Sequence, residues 1–173
     1  MEEIQKLKQE KNAVILAHYY VRPEIQDIAD YIGDSFYLSK VAVGLKEQTI
    51  VFCGVSFMGE SAKVLNPEKT VLMPDMHADC AMAHMADAKT IQKMRDTYED
   101  LAVVCYINST AELKTHSDVC VTSANAVKIE KHFRKEHFLY SGQEPGTFYC
   151  RAGTGKEFCI QRGILSDSRT HAD

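Results

Sequence analysis

Several features that would assign this sequence to a special class of protein are absent. No apolar run approaches the length of a membrane-spanning helix. The first residues, MEEIQKLKQEK, are charged throughout and lack the apolar core of a secretory signal peptide. The net charge is only -4, which indicates no basic surface for nucleic acid or for an anionic membrane. We therefore expect a cytoplasmic protein with neither nucleic-acid nor membrane partners.

The six cysteines do not form the patterns of common metal or disulfide proteins. No CxxC pair occurs, which argues against a zinc ribbon or a thioredoxin-type site, and a disulfide scaffold is implausible without a secretory signal. Cys53, Cys105 and Cys120 lie in or beside apolar runs, so we expect small core residues. The hydrophobic share of 45% is enough to build a core of ordinary size.

The chain is organised around the stretch from Val14 to Ser35. An apolar run, VILA, predicts a short buried strand that ends at His18, and Pro23 begins a helix predicted over 23–32. Ser35 is placed to cap the helix that follows. Further strands that alternate with helices predict an α/β fold with a mostly parallel sheet. These are strands at 49–53 and 70–73 and helices at 57–65 and 87–98.

The same pattern returns 88 positions later without a gap. Tyr106 takes the place of His18, and Asn108 takes the place of Tyr20. This internal repeat predicts tandem homologous three-layer α/β units with small parallel sheets. The other matched pairs are Glu24 with Glu112, Asp30 with Asp118, Ser35 with Ser123 and Lys40 with Lys128.

We expect three segments along the chain. Residues 1–86 form the first α/β unit, with the loop that carries Cys80, and residues 87–138 form an incomplete second unit. The last segment, residues 139–173, holds five of the nine glycines and shows no sustained helix or strand period, so we expect an irregular tail.

Polar side chains follow the first predicted strand of each copy. If the copies pack about a pseudo-symmetry axis, these side chains come together at the carboxyl ends of parallel strands, where α/β folds bind ligands. They offer hydrogen-bond donors, and a helix N-terminus favours anions, which suits a small, anionic, carbonyl-bearing substrate. The set comprises His18, Tyr20, Ser35, Tyr106, Asn108 and Ser123.

Cys80 lies in a polar loop, PDMHADCAMAH, just beyond a predicted strand. With His77 and His84 it could form a zinc site, although the spacing HxxCxxxH matches no common ligand pattern. It could be a nucleophile, although no base is identifiable, or one thiolate of an iron–sulfur cluster whose other ligands lie far along the chain. The spacing does not choose among these three, and a plain loop cysteine is a fourth interpretation.

Several segments together resemble the quinolinate synthase family. They cover residues 1–133 in order and in register, and such a set is far more specific than any single motif. The segments are LAHYYVRPEIQDIADYIGDS, FCGVSFMGESAKVLNPEKTVLMPD, ADCAMA, YINSTAELK and SDVCVTSANAVKI.

The resemblance implies three homologous α/β domains around a central site, which agrees with the internal repeat. It implies a [4Fe–4S] cluster held by three cysteines, one from each domain, with one iron left open. It also implies a transferase that condenses iminoaspartate with dihydroxyacetone phosphate to quinolinate for NAD biosynthesis, with L-aspartate oxidase as its pathway partner. A noncatalytic module that binds a small dicarboxylate or a sugar phosphate is the alternative.

The resemblance also implies roles for the residues that match the family's motifs. Cys80 corresponds to one of the three cluster ligands and is the only one this chain supplies. His18 and Tyr20 correspond to residues of the chemistry, and His18 also to a substrate-binding residue. The other substrate-binding residues are Ser35, Tyr106, Ile107, Asn108 and Ser123.

The sequence departs from the family pattern after about residue 138. Segments that resemble IPDKNLG and GYCPTH should follow residue 140, where this chain reads YSGQEPGTFYCRAGTGKEFCIQRGILSDSRTHAD. Read one nucleotide later, permitted codons for residues 140–146 can give IPDKNLG, and those for residues 163–171 can give GYCPTHA. We therefore interpret residues 139–173 as an out-of-frame or disordered tail. The chain as written is then a fragment that we expect to bind little iron and to be inactive.

Overall fold

Strands alternate with helices along the chain, so the predicted α/β fold class with small parallel sheets is confirmed. The computed structural model describes residues 2–84, 86–98, 101–122, 125, 129, 137–141, 147–152 and 158–162. The chain divides into two units, residues 1–80 and 81–173. No helix in the described part of the chain combines the length and apolar character needed to cross a membrane.

The first unit is built on a parallel sheet with helices on both faces. Its elements are α1 (Glu2–Glu10), β1 (Ala13–His18), α2 (Pro23–Gln26), β2 (Tyr31–Gly33), α3 (Ser35–Gly44), β3 (Thr49–Cys53), α4 (Ser56–Leu65) and β4 (Thr70–Leu72). The strand order is β2-β1-β3-β4. Ile15 and Ala17 pack with Ile4 of α1 and Ile25 of α2. Leu16 is fully buried and faces the opposite side, because side chains alternate along a strand.

The second unit begins with the same arrangement and then changes. Its elements are a 3-10 helix (Ala81–His84), α5 (Ala88–Thr97), β5 (Leu101–Tyr106), α6 (Ala111–Thr115), β6 (Val119–Val121), β7 (His137–Ser141), β8 (Thr147–Ala152) and β9 (Phe158–Arg162). The strand order is β6-β5-β7-β8-β9. The pairs that β5 makes with β6 and β7 are parallel, whereas the β7–β8 and β8–β9 pairs are antiparallel.

The helix predicted over 23–32 is wrong beyond Gln26, where α2 ends and the chain turns into β2. Asp30 explains the turn, since its backbone N–H donates to Ile15 O at 2.9 Å and its carboxylate accepts from Ile15 N–H at 2.8 Å. These two bonds align the following residues parallel to β1. The isoleucine spacing fits a helix equally well, so periodicity alone did not reveal the strand.

The segment that we expected to be irregular contains strands. Most of β7 and all of β8 and β9 lie within residues 139–173. Their sequences, HFLYS, TFYCRA and FCIQR, are rich in aromatic and β-branched residues, which favour strands even without strict alternation.

Candidate functional site

His18 lies at the end of β1 and is only 6% exposed. Its Nδ1 accepts a hydrogen bond from the backbone N–H of Tyr20 at 3.2 Å. A neutral imidazole that accepts at Nδ1 carries its proton on Nε2, so His18 presents an N–H donor. Burial lowers the pKa of His18 from its usual 6.5, against a smaller opposing effect of the Asp34 carboxylate. The ring is therefore neutral at neutral pH.

Two tyrosines enclose the His18 ring. Tyr19 stacks on it with ring centroids 4.5 Å apart, and Tyr20 meets it edge-on at 4.7 Å. The backbone here is fixed by hydrogen bonds from Tyr19 N–H to Gly33 O and from Val21 N–H to His18 O. Tyr20 is 82% exposed, so its phenol is accessible while its ring is oriented by His18.

Ser35 is the first residue of α3 and is buried, but the prediction that it caps the helix is wrong. The cap is Asp34, whose carboxylate accepts from the Tyr37 N–H at 2.7 Å. Asp is as good a cap as Ser, so the Gly-Asp-Ser sequence left this choice open. Asp34 is thus a charged group beside the candidate site that sequence reasoning missed.

The loop before Cys80 is attached to the start of α4. The backbone N–H of Ser56 donates to Ala78 O at 2.8 Å, and its hydroxyl donates to the Asp79 carboxylate at 3.0 Å. The same carboxylate oxygen accepts from the Cys80 N–H at 2.7 Å. A free, partly exposed Cys80 thiol is therefore held on an anchored loop, and sequence reasoning identified neither anchor.

The zinc interpretation of this loop gains no support. Among the described residues, no group of three or more His, Cys, Asp or Glu side chains is arranged to hold a metal ion. His77, Cys80 and His84 all belong to the described part of the chain, so the structure does not bring them together in a metal-binding arrangement.

In the second unit, Tyr106 ends β5 and a tight loop follows. The backbone N–H of Ile107 donates to Val121 O at 2.8 Å, which fixes the loop against β6. Asn108 Oδ1 is buried, and no hydrogen-bond partner for it lies among the described residues. A buried acceptor without a partner costs about 1–3 kcal/mol, so a ligand donor at this position would be favoured. Ser123, the last predicted member of the set, lies outside the described residues.

The first unit also contains a mostly apolar cavity of about 550 Å³. It lies over the sheet face beside α1 and α2 and is lined by side chains such as Ile4, Ile15, Val51 and Leu72. None of the predicted site residues lines this cavity, so it is separate from the polar groups at the strand ends.

Each unit thus carries polar or aromatic groups where its first strand ends, at matched positions of the repeat. Together with the fold, these groups define a tandem α/β protein with polar groups at the carboxyl ends of parallel strands, and their role in ligand binding stays a prediction. That the two halves share one pocket stays a prediction.

Comparison with known proteins gives the family. The family model described as quinolinate synthetase A protein matches residues 2–164, so the chain belongs to that family. The chain is 52% identical over 163 residues to a quinolinate synthase of Fusobacterium nucleatum, covering 94% of this chain and 55% of that protein. It is 55% identical over 138 residues to that of Clostridioides difficile, covering 80% and 45%, and 50% identical over 163 residues to that of Clostridium perfringens, covering 94% and 54%.

The chain therefore spans about half the length of the curated relatives it matches. The family match continues past residue 138, beyond the segments that carry the resemblance in the sequence.

Proposed function

We propose that this chain is part of a quinolinate synthase and supplies the first of its α/β domains and part of the second. The whole enzyme would be a cytoplasmic transferase of NAD biosynthesis that condenses iminoaspartate, made by L-aspartate oxidase, with dihydroxyacetone phosphate. The observation that carries the proposal is the matched placement of His18 and Tyr106 at the ends of equivalent strands in a chain of this family.

His18, Tyr20 and Asn108 have the properties that these substrates require. The Nε2–H of a neutral His18 would donate to a substrate carboxylate or carbonyl oxygen, while its Nδ1 stays unprotonated and accepts from the Tyr20 N–H. The exposed Tyr20 phenol would exchange a proton with the substrate beside that ring. Asn108 Oδ1, which lacks a partner among the described groups, would accept from the imine or amine nitrogen. Ser35, Tyr106, Ile107 and Ser123 complete the proposed substrate-binding set.

The residues present do not fit a [4Fe–4S] cluster by themselves. Such a cluster needs three or four thiolates, and among the described residues no group of three or more His, Cys, Asp or Glu side chains is arranged to hold a metal. We therefore assign Cys80 as one ligand of a cluster whose other ligands come from parts of the whole enzyme that this chain lacks. No reaction step can be derived through the cluster in this fragment.

The proposal is tested by sequencing the encoding DNA and by comparing two gene products. The first product is the chain as written, and the second is expressed after one base is removed within the codons for residues 138–140. Both are reconstituted anaerobically with iron and sulfide. We expect the corrected product to contain IPDKNLG and CPTH, to bind iron stoichiometrically and to form quinolinate. The chain as written should bind little iron and form no quinolinate.

Iron binding and quinolinate formation by the chain as written would overturn the fragment interpretation. A shifted frame without these two segments would overturn the frame change. If the corrected product is inactive but both products are thermally stabilised by quinolinate without iron, a noncatalytic dicarboxylate-binding module is the better assignment.

A further inference from the structure

Cys105 and Cys120 lie directly opposite each other in the second unit. They are register partners on the parallel strands β5 and β6, and both are free thiols. Neighbouring strands run about 4.8 Å apart, and a disulfide joins Cα atoms that are about 4.4–6.8 Å apart. Because partners in register point to the same face of the sheet, the backbone already has the spacing that a cross-link requires.

The two sulfurs also interact and differ in access. A hydrogen bond joins the Cys105 and Cys120 side chains, and the Cys105 thiol donates to Tyr106 O at 3.2 Å. Cys105 is 1% exposed, as expected for a core residue, whereas the same expectation is wrong for Cys120, which lies on the edge strand and is exposed. A reagent in solution can therefore reach Cys120 first, with Cys105 directly behind it.

The surroundings favour one negative charge on this pair. The hydrogen bond from Cys120, with smaller contributions from Ser109, Ser117 and the charge of Lys114, lowers the pKa of Cys105 to about 6 against the effect of burial. The same hydrogen bond raises the pKa of Cys120, because the two thiols share a proton. Burial alone raises the pKa of Cys53, which makes that thiol a poor nucleophile.

The fold does not require cysteine at either position. The equivalent residues of the first repeat are Ala17 and Ile32, which pair in the same register between β1 and β2. The equivalent strand pair of the first unit, β1 with β2, thus forms without cysteine at these positions. The pair of thiols is therefore particular to the second unit.

We propose that Cys105 and Cys120 form a redox-active dithiol that low-molecular-weight disulfides oxidise to a cross-link between β5 and β6. The exposed Cys120 thiol passes its proton to the Cys105 thiolate as it attacks the reagent disulfide, which gives a mixed disulfide on Cys120 and releases one reagent thiolate. The released thiolate then takes the proton from Cys105. The Cys105 thiolate then attacks the Cys120 sulfur and releases the second. The two protein sulfurs lose two electrons and the one proton that they share, and the reagent, with a second proton from water, becomes two thiols. The proposal does not depend on the proposed function.

The cross-link would join the ends of two strands beside Tyr106 and Asn108. Oxidation should therefore slow backbone hydrogen exchange in β6 and in the loop after β5. This readout distinguishes a cross-link from a simple thiol adduct, which leaves the strands free to separate.

Oxidised glutathione on the whole chain at pH 7 tests the proposal, with non-reducing peptide mapping by mass spectrometry. We expect the Cys105–Cys120 cross-link to form at least about tenfold faster than any adduct on Cys53. Cys105→Ala, which installs the residue of the first repeat, should accumulate a lasting glutathione adduct on Cys120. Cys120→Ser should leave Cys105 largely unmodified, and Cys53→Ala should behave as wild type.

A lasting glutathione adduct on Cys120 of the wild-type chain, without a cross-link, would overturn the proposal. So would cross-linking of Cys120 to Cys80 at an equal rate. Because the wild-type and Cys53→Ala measurements decide these outcomes, the test stands even if Cys105→Ala fails to fold.

Discussion

The two repeats place the same carboxylate at the same point of the fold. In the first copy, Asp30 accepts from the Ile15 N–H at 2.8 Å and pairs with Lys8 at 2.6 Å. In the second copy, Asp118 accepts from the Val103 N–H at 2.7 Å and pairs with Arg95 at 3.2 Å. Each carboxylate fixes the position at which the chain turns from a helix into the next strand, so an equivalent contact stabilises this turn in both units.

The copies diverge after their third strands. Both β3 and β7 begin opposite the first residue of the first strand of their unit, with Thr49 paired to Ala13 of β1 and His137 paired to Leu101 of β5. After β3 the chain forms α4 and then a parallel strand, whereas after β7 it forms an antiparallel strand. The divergence follows β7, close to residue 138, where we expected the sequence to depart from the family pattern.

The largest expected difference between the copies lies in their first strands. Leu16 and Val104 are equivalent buried positions of β1 and β5. Leu16→Ala should lower the free energy of unfolding by about 2–5 kcal/mol, and Val104→Ala by about 1–3 kcal/mol, because less apolar volume is lost. Urea unfolding measures the loss, and amide hydrogen exchange assigns it to a unit.

The exposed Val43 of α3 provides the control, since Val43→Ala should change stability by no more than about 0.5 kcal/mol. A larger loss for Val104→Ala than for Leu16→Ala would show that the two strands are not equivalent in the core.

Removal of the shared carboxylate should have similar effects in both units. Asp30→Ala and Asp118→Ala each leave a strand N–H without its acceptor, so we expect a loss of about 1–3 kcal/mol from each. Lys8→Met removes only a partly exposed ion pair and should cost about 0.2–1 kcal/mol, whereas Arg95→Met also removes the hydrogen bond to His116 O and should cost up to about 1.5 kcal/mol. Equal losses for the aspartate and cation variants, measured by the same unfolding assay, would show that the ion pair and not the backbone contact holds the turn.

The sequence predicted the repeat, the strand ends and the α/β class because these depend on local apolar runs and on spacing. It did not predict β2 or the Asp34 cap, since isoleucine spacing and a Gly-Asp-Ser segment each fit two local structures. Nor did it predict the Ser56 and Asp79 contacts that hold the Cys80 loop, because these join residues far apart in sequence. The predicted roles of His18, Tyr20 and Cys80 stay predictions.

Lys69 stabilises a helix end in the first copy and has no equivalent in the second, where Glu157 occupies the matching position of the sequence. Its buried ammonium donates to the carbonyls of Ala42 and Leu45 at the end of α3. Lys69→Met should lower the free energy of unfolding by about 1–3 kcal/mol, because both carbonyls lose a charged donor.

Lys40→Met is the matched control on the same helix. Lys40 is exposed and lies 5.6 Å from the Phe36 ring, an interaction that contributes about 0.5–1 kcal/mol. If thermal unfolding gives equal losses for the two lysine variants, the buried contacts of Lys69 do not stabilise α3 beyond an ordinary surface lysine.

The smallest expected effect is the pH dependence that His18 gives to the first unit. Because burial lowers its folded-state pKa below 6.5, the unfolded chain binds a proton more readily. The free energy of unfolding is therefore unaffected by His18 above pH 6.5 and decreases as the pH falls towards the folded-state pKa of this residue.

Unfolding at pH 7.5 and 5.5 should show this decrease in the wild type and less of it in His18→Gln. Asp34→Asn should enlarge it, because the Asp34 carboxylate raises the pKa of His18 while an Asn can still cap α3. A pH dependence that is unchanged in both variants would place the titrating group elsewhere in the chain.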